Sequence, residues 1–132
     1  MEPEGVVNAL RRIHEVVKPG GALMDLHPTR PFASVEAGGR QLGSLDEAEF
    51  MELVLETEAG LEQAVTLGLF ARQKALRFEV VERFDDGEEL LRKIDEDWFG
   101  TFVPPELADA VRAEQPPFDL RERVVLQRLR VV

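Results

Sequence analysis

Apolar positions recur at helical spacing from Glu4 to Val17, where Val6, Leu10, Ile13 and Val17 form one stripe. Asn8, Arg11, Arg12 and Glu15 occupy the other side, which reads as a solvated face. Lys18-Pro19-Gly20-Gly21 ends this helix: lysine suits the negative end of the helix dipole, proline cannot continue the helix, and glycine supplies a positive φ. The short apolar run Ala22 to Leu26 then reads as a buried strand. After His27-Pro28 a loop leads to two short extended pieces, 33–37 and 40–42, around Gly38-Gly39, the pattern of a small hairpin with a primed turn.

Ser44-Leu45-Asp46-Glu47 has the form of a capping box, with Ser44 as N-cap and Glu47 three residues on. It predicts a helix to about Thr66, with Phe50, Val54, Leu61, Val65 and Leu69 facing inward. Leu76 to Phe84 alternates, so a half-buried strand with Leu76, Phe78, Val80 and Phe84 on one face is expected. Asp86 caps a short helix whose stripe is Leu90 or Leu91, Ile94 and Trp98. Pro104-Pro105 opens another, anchored by Leu107 and Val111, and Pro116-Pro117 closes it. Leu120 to Val131 is the last strand, apolar on both faces at Val124-Val125-Leu126, which suits a central place in a sheet. The pattern is α/β, read as one domain over residues 1–132 with no linker or internal repeat.

Composition narrows the chemistry. The 132 residues carry 16 Lys+Arg against 26 Asp+Glu, a net charge of −10, which disfavours a nucleic-acid surface. There is no cysteine, so disulfides, thiolate metal sites and cysteine nucleophiles are excluded; two histidines are too few for a His-rich metal site. No apolar run approaches the ~20 residues of a membrane span, and Met1-Glu2-Pro3-Glu4 shows no basic start of a signal peptide. A cytoplasmic location is the resulting expectation.

Leu10 to Gly21, followed by Ala22-Leu23-Met24-Asp25, resembles the fourth helix, the Lys-Pro-Gly-Gly turn and the fifth strand of the Rossmann-like (class I) S-adenosylmethionine-dependent methyltransferases. Phe84 to Leu91 is similar to the helix-starting element after that family's sixth strand, and Leu120 to Leu129 to its seventh, antiparallel strand. The resemblance implies the C-terminal half of the family domain: a three-stranded mixed sheet in the family order 5-7-6, flanked by helices, plus the small hairpin. It places the helix at 45–66 on one face and the first helix on the other. The family holds its cofactor in the N-terminal half, on a glycine-rich turn and an acidic residue that this chain lacks. No cofactor-binding residue is therefore carried over, and S-adenosylmethionine is not expected to bind this chain alone.

Three functions follow as expectations. The first is a methyltransferase-like interaction or accessory module without autonomous catalysis. The second is a component of a small-molecule methyltransferase completed by a separate N-terminal half. The third is a small-ligand binding module using the loop at 27–34 and the Trp98 region. His27 follows the fifth-strand segment, and Asp25, two residues earlier, shares its face if the strand persists. Such a pair suits general-base work on a substrate hydroxyl, or equally a loop histidine beside a satisfied carboxylate. Trp98, with Phe99 and Phe102, suits a wall for an apolar substrate or a cover for the sheet. His14 reads as a boundary residue. Arg121, Arg123, Arg128 and Arg130 read as an ion ladder with Glu79, Glu82 and Glu122, and the acidic runs 95–97 and Glu47-Glu49-Glu52 as solvated faces rather than a metal site. Strand 22–26 lacks the neighbour it has in the family, so a homodimer, or a complementary half, is expected through this edge and helix 4–17.

Overall fold

A computed structural model describes the backbone of residues 3–132 and the side chains of 4–132; the start of the chain at Met1-Glu2 lies outside the described residues. The order is α1 (Pro3–Val16), β1 (Ala22–Pro28), β2 (Ser34–Ala37), β3 (Arg40–Ser44), α2 (Ala48–Thr66), β4 (Phe70–Phe84), α3 (Gly87–Asp97), α4 (Pro105–Ala113) and β5 (Phe118–Val131). The fold is α/β, with four helices and an open antiparallel sheet among the described residues. The sheet order is β1-β5-β2-β3, with β4 also on β5.

The expected three-stranded mixed sheet is replaced by five strands. Gly38 and Gly39 both take positive φ, +60° and +75°, and fold β3 back onto β2. β2 pairs in turn with the start of β5, Ser34 opposite Arg121 and Ala37 opposite Phe118. The hairpin therefore joins the sheet instead of standing beside it.

The chain forms two compact units: residues 1–27, 51–77 and 125–132 in the first, 28–50 and 78–124 in the second. The first unit packs Val6 and Leu10 of α1 with Leu61 and Ala64 of α2 over Phe70, Leu129 and Val131. Both helices thus contribute to one cluster, which corrects the expectation that they cover opposite faces. The reason lies in the strands: on β5 the odd-numbered Leu129 and Val131 are buried, whereas Arg128 and Arg130 are exposed. At this end of β5 the apolar side chains alternate with arginines, so the strand offers helices only its odd-numbered face.

The consequence falls on β1, which is not the buried strand its composition suggests. Met24 and Leu26 are 54% and 61% exposed, on the face that α1 and α2 leave uncovered. Of the four β4 residues expected on one face of a half-buried strand, Phe84 is buried, whereas Leu76, Phe78 and Val80 are 50%, 42% and 48% exposed. β4 itself starts at Phe70, earlier than the alternation announces, after a turn at Gly68 with φ +79°.

The second unit has its own core. Leu90, Leu91 and Ile94 of α3 and Leu107 and Val111 of α4 pack on Phe84, Phe118 and Leu120. Asp86 is the N-cap of α3, accepting from the Glu88 amide, and Pro105 opens α4. The capping box at Ser44 does not form. Ser44 ends β3, and Asp46 Oδ1 instead accepts from the Ala48 amide at 3.1 Å. Glu47 is pulled inward, where Oε2 accepts from the Ala33 amide at 2.7 Å. In α2 the buried positions are Met51, Val54, Gly60, Leu61 and Ala64, and Phe50 is not among them. Among the described residues no helix is long and apolar enough to cross a membrane.

Candidate functional site

β1 continues through His27 and Pro28, so Asp25 and His27 stand on the same face, as their spacing of two requires. His27 Nδ1 lies 2.7 Å from Asp25 Oδ2. Its Nε2 lies 3.0 Å from Oε1 of Glu58, which reaches over from α2. The contact network continues sideways: Gln127 Nε2 on β5 donates to Asp25 Oδ2 at 2.8 Å, and Arg72 on β4 donates to Gln127 Oε1 at 2.6 Å and to Glu62 at 2.7 Å. All six residues belong to the first unit, and five of them, His27, Glu58, Glu62, Arg72 and Gln127, line a concavity of about 570 Å³ whose apolar walls include Leu55, Ala59 and Val125, with Asp25 behind His27.

An imidazole with a carboxylate oxygen at each ring nitrogen donates in both directions, which is the cationic form. The electrostatics agree. The Asp25 hydrogen bond, opposed by burial and reinforced by the charges of Asp25 and Glu58, raises the His27 pKa. Burial pushes the Asp25 carboxyl up, but the hydrogen bonds from His27 and Gln127 outweigh it and the pKa is lowered. His27 is only 8% exposed, whereas the Glu58 side chain is 46% exposed. Glu58 is therefore the partner that can yield to a ligand. As it stands the histidine has no free lone pair, so it holds a proton rather than accepting one.

The other sequence candidates fall elsewhere. Trp98 lines a separate concavity of about 290 Å³ in the second unit, of which His27 is not a part; Pro28, from the start of the 27–34 loop, does line it. Phe99 and Phe102 are 68% and 56% exposed, so the aromatic cluster does not close over the sheet. His14 donates from Nε2 to the Val132 carbonyl at 2.9 Å and makes a T-shaped ring contact with Phe70. Arg121 pairs with Glu36 and Glu79, and Arg83 with Asp119. Glu82 goes to Lys93 and not to the arginine ladder. No group of three metal-ligating side chains exists among the described residues.

Glu58 and Gln127 were not singled out by the sequence, yet both left a signal. Glu58 falls at the helical spacing of Met51, Val54, Leu61 and Val65 along α2, at the margin of the buried stripe, and is itself exposed. Gln127 sits between Val125 and Leu129 on the inward face of β5. A polar residue on a stripe that is otherwise apolar needs a buried partner. No protein-family model and no curated protein matches the chain.

Proposed function

We propose that the chain is an interaction module without catalysis of its own, built on a methyltransferase-like half-fold, and that it pairs with a second copy through β1. The observation that carries the reading is the open margin of β1. Val131 donates to the Gly21 carbonyl and Thr29 to the Arg123 carbonyl, two bonds that fit one antiparallel register along the strand. In an antiparallel ladder the odd residues then bond to β5, and the backbone groups of Ala22, Met24 and Leu26 point outward. β1 ends the sheet order, and these same residues carry the exposed apolar face. Such an edge is a template for another strand.

A second copy suits it because the margin is self-complementary. Antiparallel pairing about Met24 sets Ala22 opposite Leu26 of the copy, and every outward side chain in that stretch is uncharged. The one charge within it, Asp25, is held on the other face by His27 and Gln127. Support for the methyltransferase-like origin is the Lys18-to-Gly21 turn between α1 and β1, together with β5 lying antiparallel between β1 and β4 in the first unit. In this reading S-adenosylmethionine belongs to the family and is not bound by this chain alone. The runner-up is a separate chain supplying the missing half.

Sedimentation velocity tests the proposal. The wild type is expected at twice the monomer's 14.9 kDa, and the Met24→Lys, Leu26→Lys double variant at the monomer mass with unchanged helix content. A wild type that stays monomeric at high concentration overturns the self-pairing and leaves the complementary half as the occupant.

A further inference from the structure

The second unit holds a pair of carboxylates that neither the β1 margin nor the His27 network uses. Glu47 is 2% exposed. Its Oε2 takes the Ala33 amide; its other oxygen has no hydrogen-bond partner among the described residues, and no cation pairs with it. Glu122, half-buried on β5, has no hydrogen bond or ion pair among the described residues. Burial raises the pKa of both, and the charge of Glu47 raises that of Glu122 further. No lysine or arginine lines the hollow that holds them, and on α3 and β5 three cations are engaged elsewhere: Lys93 with Glu82, Arg121 with Glu36 and Glu79, and Arg123 with the Phe32 carbonyl.

Both carboxylates line the concavity of about 290 Å³ that Trp98 also lines, with Phe50 and Phe99 as further aromatic walls and Asp97 at the rim. Uncompensated negative charge in a partly dry hollow attracts a cation. The rings decide which kind. A bare metal ion gains little from an aromatic wall and wants more oxygen ligands than this hollow supplies. An alkylated ammonium, with its charge spread over methyl groups, gains from ring faces and from carboxylates together.

We propose that the hollow formed by Glu47, Phe50, Trp98, Phe99 and Glu122 binds a small organic cation, an amine carrying methyl or other apolar substituents. The inference stands on the second unit and does not rest on self-pairing through β1.

Trp98 is the single tryptophan of the chain, so its fluorescence reports on the hollow directly. Choline is the probe, and 3,3-dimethylbutan-1-ol its neutral isostere. Choline is expected to give a saturable change with a Kd on the order of 1 mM. The neutral alcohol is expected to bind at least about tenfold more weakly, and sodium chloride at equal ionic strength to give no saturable change. Glu122→Gln removes charge and keeps shape, and is expected to weaken choline about tenfold with the fold retained in the far-ultraviolet spectrum. If that variant does not fold, Asp97→Asn at the rim provides the second reading, with a weakening of about threefold expected. A response to the alcohol equal to that of choline, no saturation with choline, or unchanged affinity in the folded variants overturns the proposal.

Discussion

His27 shows how a single side chain takes its character from what surrounds it. An exposed histidine titrates near pH 6.5. Here carboxylates on both ring nitrogens favour the charged form, so the folded pKa lies above the unfolded one. The stabilisation is then complete below the unfolded value and is lost as pH rises through the folded value. For Asp25 the sign reverses: its folded pKa is lowered, so its share is present above about pH 3.9 and fades as acid titrates it. Between those limits both groups are charged and paired. His27→Gln is expected to cost about 1–3 kcal/mol at pH 6. The difference from wild type should shrink as pH rises above the imidazole range. Urea unfolding at a series of pH values checks this; a difference that grows toward pH 9 would contradict it. Half of this arrangement was legible beforehand. Asp25 and His27 are two apart on a strand, and a strand alone makes them neighbours. Glu58, 31 residues from His27, comes within reach only when α2 packs on the sheet.

Among the elements, those with a strong local signal appear where their residues place them. α3 begins at the residue after Asp86, and its buried side is Leu90, Leu91 and Ile94. Asp86→Ala is expected to cost about 1 kcal/mol, because the Glu88 amide loses its acceptor at a helix end. Thermal unfolding monitored by circular dichroism measures this, and Asp86→Ser should recover most of the loss. The capping box at Ser44 fails for an instructive reason. Glu47 has a better partner in the Ala33 amide, a buried donor 14 residues away that would otherwise go unsatisfied. A local motif gives way when tertiary packing offers its carboxylate a buried hydrogen bond. β4 illustrates the limit of alternation. Leu76, Phe78 and Val80 do share a face, but each is 42–50% exposed. Periodicity says which residues lie together and is silent about whether anything covers them.

On the scale of the whole molecule, two compact units each hold a separate cluster of buried side chains. Leu129, fully buried, centres the first, and Ile94, at 1% exposure, the second. Leu129→Ala and Ile94→Ala are each expected to destabilise by about 2–4 kcal/mol, since neither site has solvent to fill the space left behind. Denaturant midpoints test this; a loss below about 1 kcal/mol at either position would contradict the corresponding cluster.

By itself the sequence determined the secondary structure nearly throughout: the helix stop at Lys18 to Gly21, the turn at Gly38-Gly39, the N-cap at Asp86, and the apolar middle of β5. Each depends on backbone conformation and spacing over a few residues, which are carried by neighbours in the chain. Only the tertiary structure decided that α1 and α2 share one face, that Met24, Leu26 and Leu76 are left uncovered, that Glu58 completes the hydrogen bonding of His27, and that Glu47 and Glu122 line one aromatic hollow. Those outcomes depend on which face of a strand receives a helix, a contact between residues distant in the chain whose free energy belongs to the assembled layers and not to any one segment.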